Sequence, residues 1–314
     1  MRMLVLGAGG VGGYFGGRLA EAGADVTFLV RPPRRAQLER DGLRIVSPRG
    51  DVTRAVRTVV ADTLAPEYDV VLLTCKAYDL PSALDAIAPA LRDATVIVPL
   101  LNGMAHLETL DARFGAPRVM GGSCQIDATL LPDGTVRHGG MLARVLFGER
   151  DQQRTARAQA LADVLARTAL DWEWADDILL RMWEKLLMLS VLAATTCLFR
   201  GTVAEIMAAP GGREAALSAI DANVQIATRE GYPPSDTAVA MARERLTDPA
   251  GTWSASMLRD MEAGKPVEAD HILGWMLARA AAHQVDVPIL SLAYTHLKTY
   301  ERRRAAGRFP GMVP

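Results

Sequence analysis

Met3-Leu4-Val5-Leu6-Gly7-Ala8-Gly9-Gly10-Val11-Gly12 stands at the head of the chain. Residues 4–6 read as a short strand, three glycines follow in GxGxxG spacing, and a helical period runs over residues 11–22. Strand, glycine turn and helix in that order make the first βα unit of an open parallel sheet, and each glycine has its own task there. Gly7 allows the tight turn, Gly9 lets a pyrophosphate approach the backbone, and Gly12 lets the helix pack closely on the strand. Gly7, Ala8, Gly9, Gly10, Val11 and Gly12 are therefore the candidate phosphate loop, with unpaired N–H groups and a helix dipole aimed at the ligand. A merely structural glycine turn is the alternative, and the clean strand on one side and helix on the other argue for a dinucleotide.

The pattern set by that unit continues. β-rich runs at residues 26–30, 70–74, 95–98 and 145–147 alternate with amphipathic stretches at 80–91 and 153–168, the signature of βαβ units. Within 119–148 the turn signal Pro132-Asp133-Gly134 lies between strand-like residues, so antiparallel strands extending the sheet are expected there. Beyond Trp174 only helical periods remain, at 178–197, 212–230, 235–246, 267–283 and 289–303, broken by proline and glycine. The expected fold is α/β, an N-terminal doubly wound Rossmann domain over residues 1–174 and a C-terminal all-α domain over 175–314.

Bulk properties narrow the function classes. The chain has 314 residues, half of them hydrophobic, and a formal net charge of −1, so nothing draws it as a whole to nucleic acid. The basic run Arg302-Arg303-Arg304 reads as a solvated helix end. Cys75, Cys124 and Cys197 are odd in number and far apart, which suits neither a disulfide framework nor a metal site and fits a reducing cytoplasm. No signal segment precedes the first strand, and the apolar run 186–199 is too short to span a bilayer, so a buried helix and a cytoplasmic protein without membrane contact are expected. The five histidines, His106, His138, His271, His283 and His296, show no metal-ligand spacing and read as structural or solvated; no metal is expected.

Two positions bear on the cofactor. The second strand ends in Arg31 where an NAD enzyme places an acidic residue; an arginine there suits a 2′-phosphate and favours NADPH over NADH. A solvated arginine beside Arg34 and Arg35 is the plainer alternative. Lys76 follows the strand at 70–74 at its carboxyl end, the edge that faces the ligand crevice in such sheets, and is placed to touch cofactor or substrate. Asn102, in a Leu-Asn-Gly turn after the next strand, has an amide that donates to one ligand and accepts from another.

Taken with Thr74-Cys75-Lys76, Leu101-Asn102-Gly103-Met104, Trp183-Glu184-Lys185-Leu186 and Ser256-Met257-Leu258-Arg259-Asp260 leading to Glu268-Ala269-Asp270, these blocks make the chain resemble the ketopantoate reductase family over nearly its whole length. The resemblance implies NADPH-dependent reduction of the C2 carbonyl of 2-dehydropantoate, a step of pantothenate biosynthesis. It implies Lys185 and Glu268 as catalytic residues, Asn102 and Ser256 as substrate-binding residues, and Lys76 and Asn102 among the cofactor contacts. The chemistry agrees for Lys185: a positioned ammonium stabilises the negative charge that grows on a carbonyl oxygen as hydride arrives, and supplies its proton. The residue lies on a helix expected to be capped by Asp176 or Asp177, beside Arg181 and an apolar run, both of which would lower its pKa. A snorkelling lysine, a helix-opening glutamate after Lys265-Pro266 and an N-capping serine are the ordinary uses of the same three residue types.

One departure concerns the substrate. Asparagines commonly follow the family's lysine at four and eight residues, and here those positions hold Leu189 and Ala193. Reduction of a related, less polar 2-oxo acid is thus a second reading, and a non-catalytic NADP-binding sensor a third that retention of Lys185, Ser256 and Glu268 speaks against. The expected partner is a small 2-oxo acid, and apolar helices such as 186–199 would permit a homodimer.

Overall fold

A computed structural model of the protein describes residues 1–308. By its internal contacts the chain forms two units, Met1–Leu101 with His106–Ile178, and Asn102–Ala105 with Leu179–Pro314.

The first unit holds the strands β1 (Arg2–Leu6), β2 (Asp25–Leu29), β3 (Leu43–Val46), β4 (Val52–Arg54), β5 (Arg57–Val59), β6 (Val70–Leu73), β7 (Val96–Pro99), β8 (Gly121–Leu130), β9 (Val136–Gly148) and β10 (Asp171–Trp174). Its helices are α1 (Gly10–Glu21), α2 (Pro32–Asp41), α3 (Leu80–Ile87), α4 (Ala105–Phe114) and α5 (Ala156–Leu165). One sheet is wholly parallel in the order β5-β2-β1-β6-β7. β6 and β7 are buried along their whole length, which is why they read as unbroken apolar runs instead of alternating. The order reverses between β1 and β6, and at that switch point an open α/β sheet accepts its ligand beyond the carboxyl ends of the strands.

The strands around Pro132-Asp133-Gly134 correct one expectation. β8 and β9 are antiparallel, but they do not extend the first sheet; they belong to a second one, ordered β10-β9-β3-β4 with β8 also on β9. The glycine spacing of α1 explains how two sheets share one helix. A Cβ at Gly12 would strike the Gly7 carbonyl and Thr74, and one at Gly16 would come within 2.7 Å of Phe28, all in the first sheet or its loops. On the other side a Cβ at Gly10 would strike the Ala128 carbonyl, one at Gly13 would lie 2.7 Å from Val136, and one at Gly17 2.6 Å from Ile45. Helix α1 is packed closely on both faces, so it needs far more glycine than a phosphate loop alone requires.

The second unit, within the described residues, is helical: α6 (Ile178–Phe199), α7 (Val203–Ala208), α8 (Gly212–Arg229), α9 (Asp236–Leu246), α10 (Ser256–Glu262), a π-helical turn (Asp270–Gly274) running into α11 (Trp275–Ala282), and α12 (Pro288–Ala305). α6 is longer than the apolar run suggested, and by length and composition its 22 residues would suffice to cross a bilayer. Its burial decides the matter differently, since 67% of the apolar window lies inside the protein, with Leu186, Leu187, Val191, Ala194 and Cys197 buried. The buried part of the run therefore fills a core. Burial also pushes the Cys197 thiol up to about 12, which keeps it protonated and unreactive.

Candidate active site

In the first unit the glycine loop is shaped by main chain. Gly7 has φ +89°, a value that L side chains rarely adopt. Gly9 is the N-cap of α1; a Cβ there would meet nothing within 4 Å, so the backbone stands open to a ligand. No side chain caps this helix start and its first turn carries no acidic residue. Free N–H groups, an unopposed dipole and open space fit the pyrophosphate of a dinucleotide.

Around the loop, Thr74 Oγ1 donates to the Leu6 carbonyl at 2.6 Å and ties the end of β6 to the end of β1. Lys76 is half-buried just before a short 3₁₀ turn, Ala77–Asp79, on the far side of the switch point. Arg31, the N-cap of α2, is 79% exposed with one nitrogen 3.5 Å from Asp79. Arg34, grouped by the sequence with the solvated loop, instead lies in α2 with its guanidinium half-buried. It donates to the Ala8 carbonyl at 2.8 and 3.2 Å, to the Gly134 carbonyl at 3.0 Å and to Gln37 at 2.7 Å. Burial lowers its pKa, and Arg44 adds to that, yet an arginine stays charged, so a cation braces the loop carbonyl from behind. Nothing in the sequence separates Arg34 from Arg35, whose partner is an exposed glutamate one turn away.

In the second unit the sequence's best catalytic candidate meets a second one. Lys185 Nζ donates to Asn102 Oδ1 at 3.1 Å, across 83 residues of chain. The two residues before Lys185 fix its helix. Trp183 is buried against Trp275 and Tyr232, with ring centroids 5.3 and 6.2 Å away. Glu184 is buried and accepts from the Ser235 hydroxyl at 2.6 Å, the Ser235 N–H at 3.2 Å and Arg181 at 2.9 Å. Successive residues point about 100° apart around a helix, so these two anchors leave α6 no freedom to roll and aim Lys185 at Asn102. Arg181, one turn before Lys185, is paired with Glu184. Of the two expected caps, Asp176 is engaged by Arg154 at 2.6 Å and Asp177 accepts from Gln152 at 3.1 Å.

Glu268 is 8% exposed and precedes the π-helical turn. His271 faces Glu268 and hydrogen-bonds the main chain of Asn102. Burial lowers the His271 pKa below its ordinary value, against the opposing pull of the Glu268 carboxylate and the Asn102 bond. His271, read from sequence as structural or solvated, is thus part of the cluster; one histidine between an alanine-aspartate pair and an apolar run carries no sequence signal of that. Asp270 would be raised by burial, but bonds from Lys298 at 2.8 Å and Tyr294 at 2.6 Å outweigh it and hold the carboxyl below its ordinary value.

Ser256 is half-buried as the first residue of α10, where Ala255 takes the cap position, so the ordinary N-cap use does not account for it. Leu189 is half-buried and Ala193 is fully buried.

Residues 3–152 match the family model described as ketopantoate reductase PanE/ApbA, and residues 177–301 match its C-terminal counterpart. The chain is 35% identical to an uncharacterized oxidoreductase of Bacillus subtilis (strain 168), over 97% of this chain and all of that protein. It is 28% identical to a 2-dehydropantoate 2-reductase of Halobacterium salinarum, over 92% of this chain and 95% of the other. Among solved structures it is similar to a PanE/ApbA family ketopantoate reductase from Ralstonia eutropha JMP134, with a TM-score of 0.87 at 25% identity, covering 97% of this chain and 100% of that one.

Proposed function

The chain belongs to the ketopantoate reductase family of oxidoreductases, and from that premise we propose that it reduces the C2 carbonyl of a 2-oxo acid with NADPH, with 2-dehydropantoate as the first substrate to test. The observation that carries this reading is the Lys185 Nζ–Asn102 Oδ1 hydrogen bond at 3.1 Å. A nicotinamide dinucleotide with its pyrophosphate at the glycine loop, residues 7–12, would supply the hydride for the carbonyl carbon. Lys185 then has two tasks: its ammonium stabilises the charge developing on the carbonyl oxygen and gives that oxygen a proton. Asn102 holds the ammonium by accepting from it. Glu268, whose burial favours a partner with a proton to share, orients the substrate, and Ser256 binds its carboxylate. Arg31 supports NADPH over NADH, because an exposed guanidinium at the end of β2 is free to close on a 2′-phosphate and its contact with Asp79 is a weak surface pair.

Leu189 supports a second substrate within the same chemistry. Half-buried on the lysine's helix, it suits the side chain of a less polar 2-oxo acid. Following NADPH absorbance across a panel of 2-oxo acids that includes 2-dehydropantoate tests both. Turnover of 2-dehydropantoate at the highest kcat/KM supports the first reading, a preference for an apolar acid supports the second, and no turnover of any 2-oxo acid overturns the proposal.

A further inference from the structure

His271 meets the Asn102-Gly103 turn at two points. Its ring hydrogen-bonds the Asn102 main chain, and Gly103, at φ +77°, comes so close that a Cβ there would lie 3.0 Å from His271 Cδ2 and 3.2 Å from its carbonyl oxygen. The turn has the one residue type that permits both its backbone angle and this approach. His271 is itself held from below: its neighbour Asp270 accepts from Tyr294 and Lys298 of α12, and Gly274 packs against the Tyr294 ring. The π-helical geometry of Asp270–Gly274 departs from regular α-helix at this place, as such turns often do at functional sites.

We infer that His271 is a positioning residue for the proposed reductase: by holding the main chain of the Asn102-Gly103 turn, it keeps Asn102 Oδ1 where it receives the Lys185 ammonium. This rests on the reading of Lys185 as the proton donor. The chain of contacts is continuous, from the Asp270 anchor through the His271 ring and the Asn102 backbone to Asn102 Oδ1 and Lys185 Nζ. The imidazole acts as an N–H donor, while the Glu268 carboxylate is the charged group that faces it. Lose the ring donor, and the turn carbonyl loses its partner, Asn102 drifts, and the ammonium loses its acceptor.

The test compares His271→Phe, which keeps a ring without a donor, with His271→Gln, which keeps a donor, each alone and with Asn102→Ala. The first readout needs no turnover: competitive trace acetylation of the purified protein reports how much of Lys185 is free amine. A hydrogen bond to the charged form favours that form, so His271→Phe should acetylate Lys185 about threefold faster. His271→Gln should restore the parent rate, and Asn102→Ala should mimic His271→Phe. Because the two act in series, His271→Phe should add nothing in the Asn102→Ala background. In turnover, kcat should fall about tenfold in His271→Phe with the KM for NADPH unchanged. If the phenylalanine variant does not fold, His271→Met makes the same comparison with a more adaptable side chain. Unchanged Lys185 acetylation in the donor-less variants, or effects that add to those of Asn102→Ala, overturn the inference. A parent protein that reduces no 2-oxo acid overturns the proposed function instead, and the acetylation arm still decides the role of His271.

Discussion

The glycine loop and the lysine cluster are built from opposite materials. Around Gly7, Gly9 and Gly12 the chain offers main-chain groups, a helix start and empty space, and the nearby charge of Arg34 is spent on the Ala8 carbonyl. Around Lys185 it offers side chains: Asn102 accepts from the ammonium, Glu184 anchors the lysine's helix through Ser235, and His271 bonds the Asn102 main chain next to the anchored Asp270. Backbone sites tolerate little change of shape, and side-chain sites tolerate little change of chemistry. Substitutions in the two regions should therefore fail in different ways.

The largest effect is expected at Lys185. In Lys185→Ala, kcat should fall by about 10² to 10⁴-fold, the usual worth of general acid catalysis, while NADPH binds as before in a fluorescence titration. A variant that keeps near-parental kcat would return Lys185 to a snorkelling role. The glycine loop should break by shape. Gly12→Ala places a methyl against the Gly7 carbonyl and should cost about 1 to 3 kcal/mol of stability in urea unfolding, with cofactor binding lost alongside. Gly9→Ala meets nothing in the protein, so it should fold at parental stability and lose only NADPH affinity. Equal destabilisation by both substitutions would refute the division of labour between these glycines.

That contrast also explains what was legible in the sequence. The glycine turn between β1 and α1 could be read because backbone requirements force one residue type at fixed spacing, and the parallel strands because burial on both faces leaves unbroken apolar runs. The second sheet was misplaced because a turn signal such as Pro132-Asp133-Gly134 shows that two strands pair but not which sheet they join. β3, β4 and β5 are three or four residues long, too short for a period to show. The roles of Arg34 and His271 went unread because each depends on a contact distant in sequence, Arg34 with Gly134 and His271 with Asn102. Lys185 is named through resemblance; its local pattern alone favours a snorkelling lysine.

A smaller effect is expected at Arg31. Replacing it with alanine should raise the KM for NADPH about tenfold and leave that for NADH unchanged, since charge-assisted bonds of this kind contribute on the order of 1.5 to 3 kcal/mol before solvent exposure reduces them. Equal losses with both cofactors would remove the argument for NADPH. On the lysine's own helix, Leu189→Asn should improve kcat/KM for 2-dehydropantoate if that is the substrate and weaken it if an apolar acid is. Ala193→Asn is a different case, because the site is fully buried: the new amide should lower the melting temperature whatever the substrate. A parental melting temperature in that variant would show that the position opens to solvent or ligand.

The finest difference between the two regions is that one of them holds a histidine whose pKa is lowered by burial. Burial holds the His271 pKa below the ordinary 6.5, with the Glu268 carboxylate and the Asn102 main chain only partly offsetting it. As pH falls through 6.5 the unfolded chain takes up a proton at this position while the folded protein does not, so the unfolded state binds more protons and stability falls with pH. The loss continues until the folded-state pKa is reached and then levels off; above 6.5 the group contributes no slope. His296 is lowered too, by burial and by Arg200, and adds a slope of the same sign, so the total pH dependence does not isolate either residue. The difference between the parent and His271→Phe does. Urea unfolding of both proteins from neutral pH down to about 5, the range in which histidine changes charge, should give curves that converge as pH falls, because only the parent carries the His271 penalty. Parallel curves would mean that His271 takes up its proton in the folded protein as readily as in the unfolded chain, which a ring whose charged form is desolvated should not do.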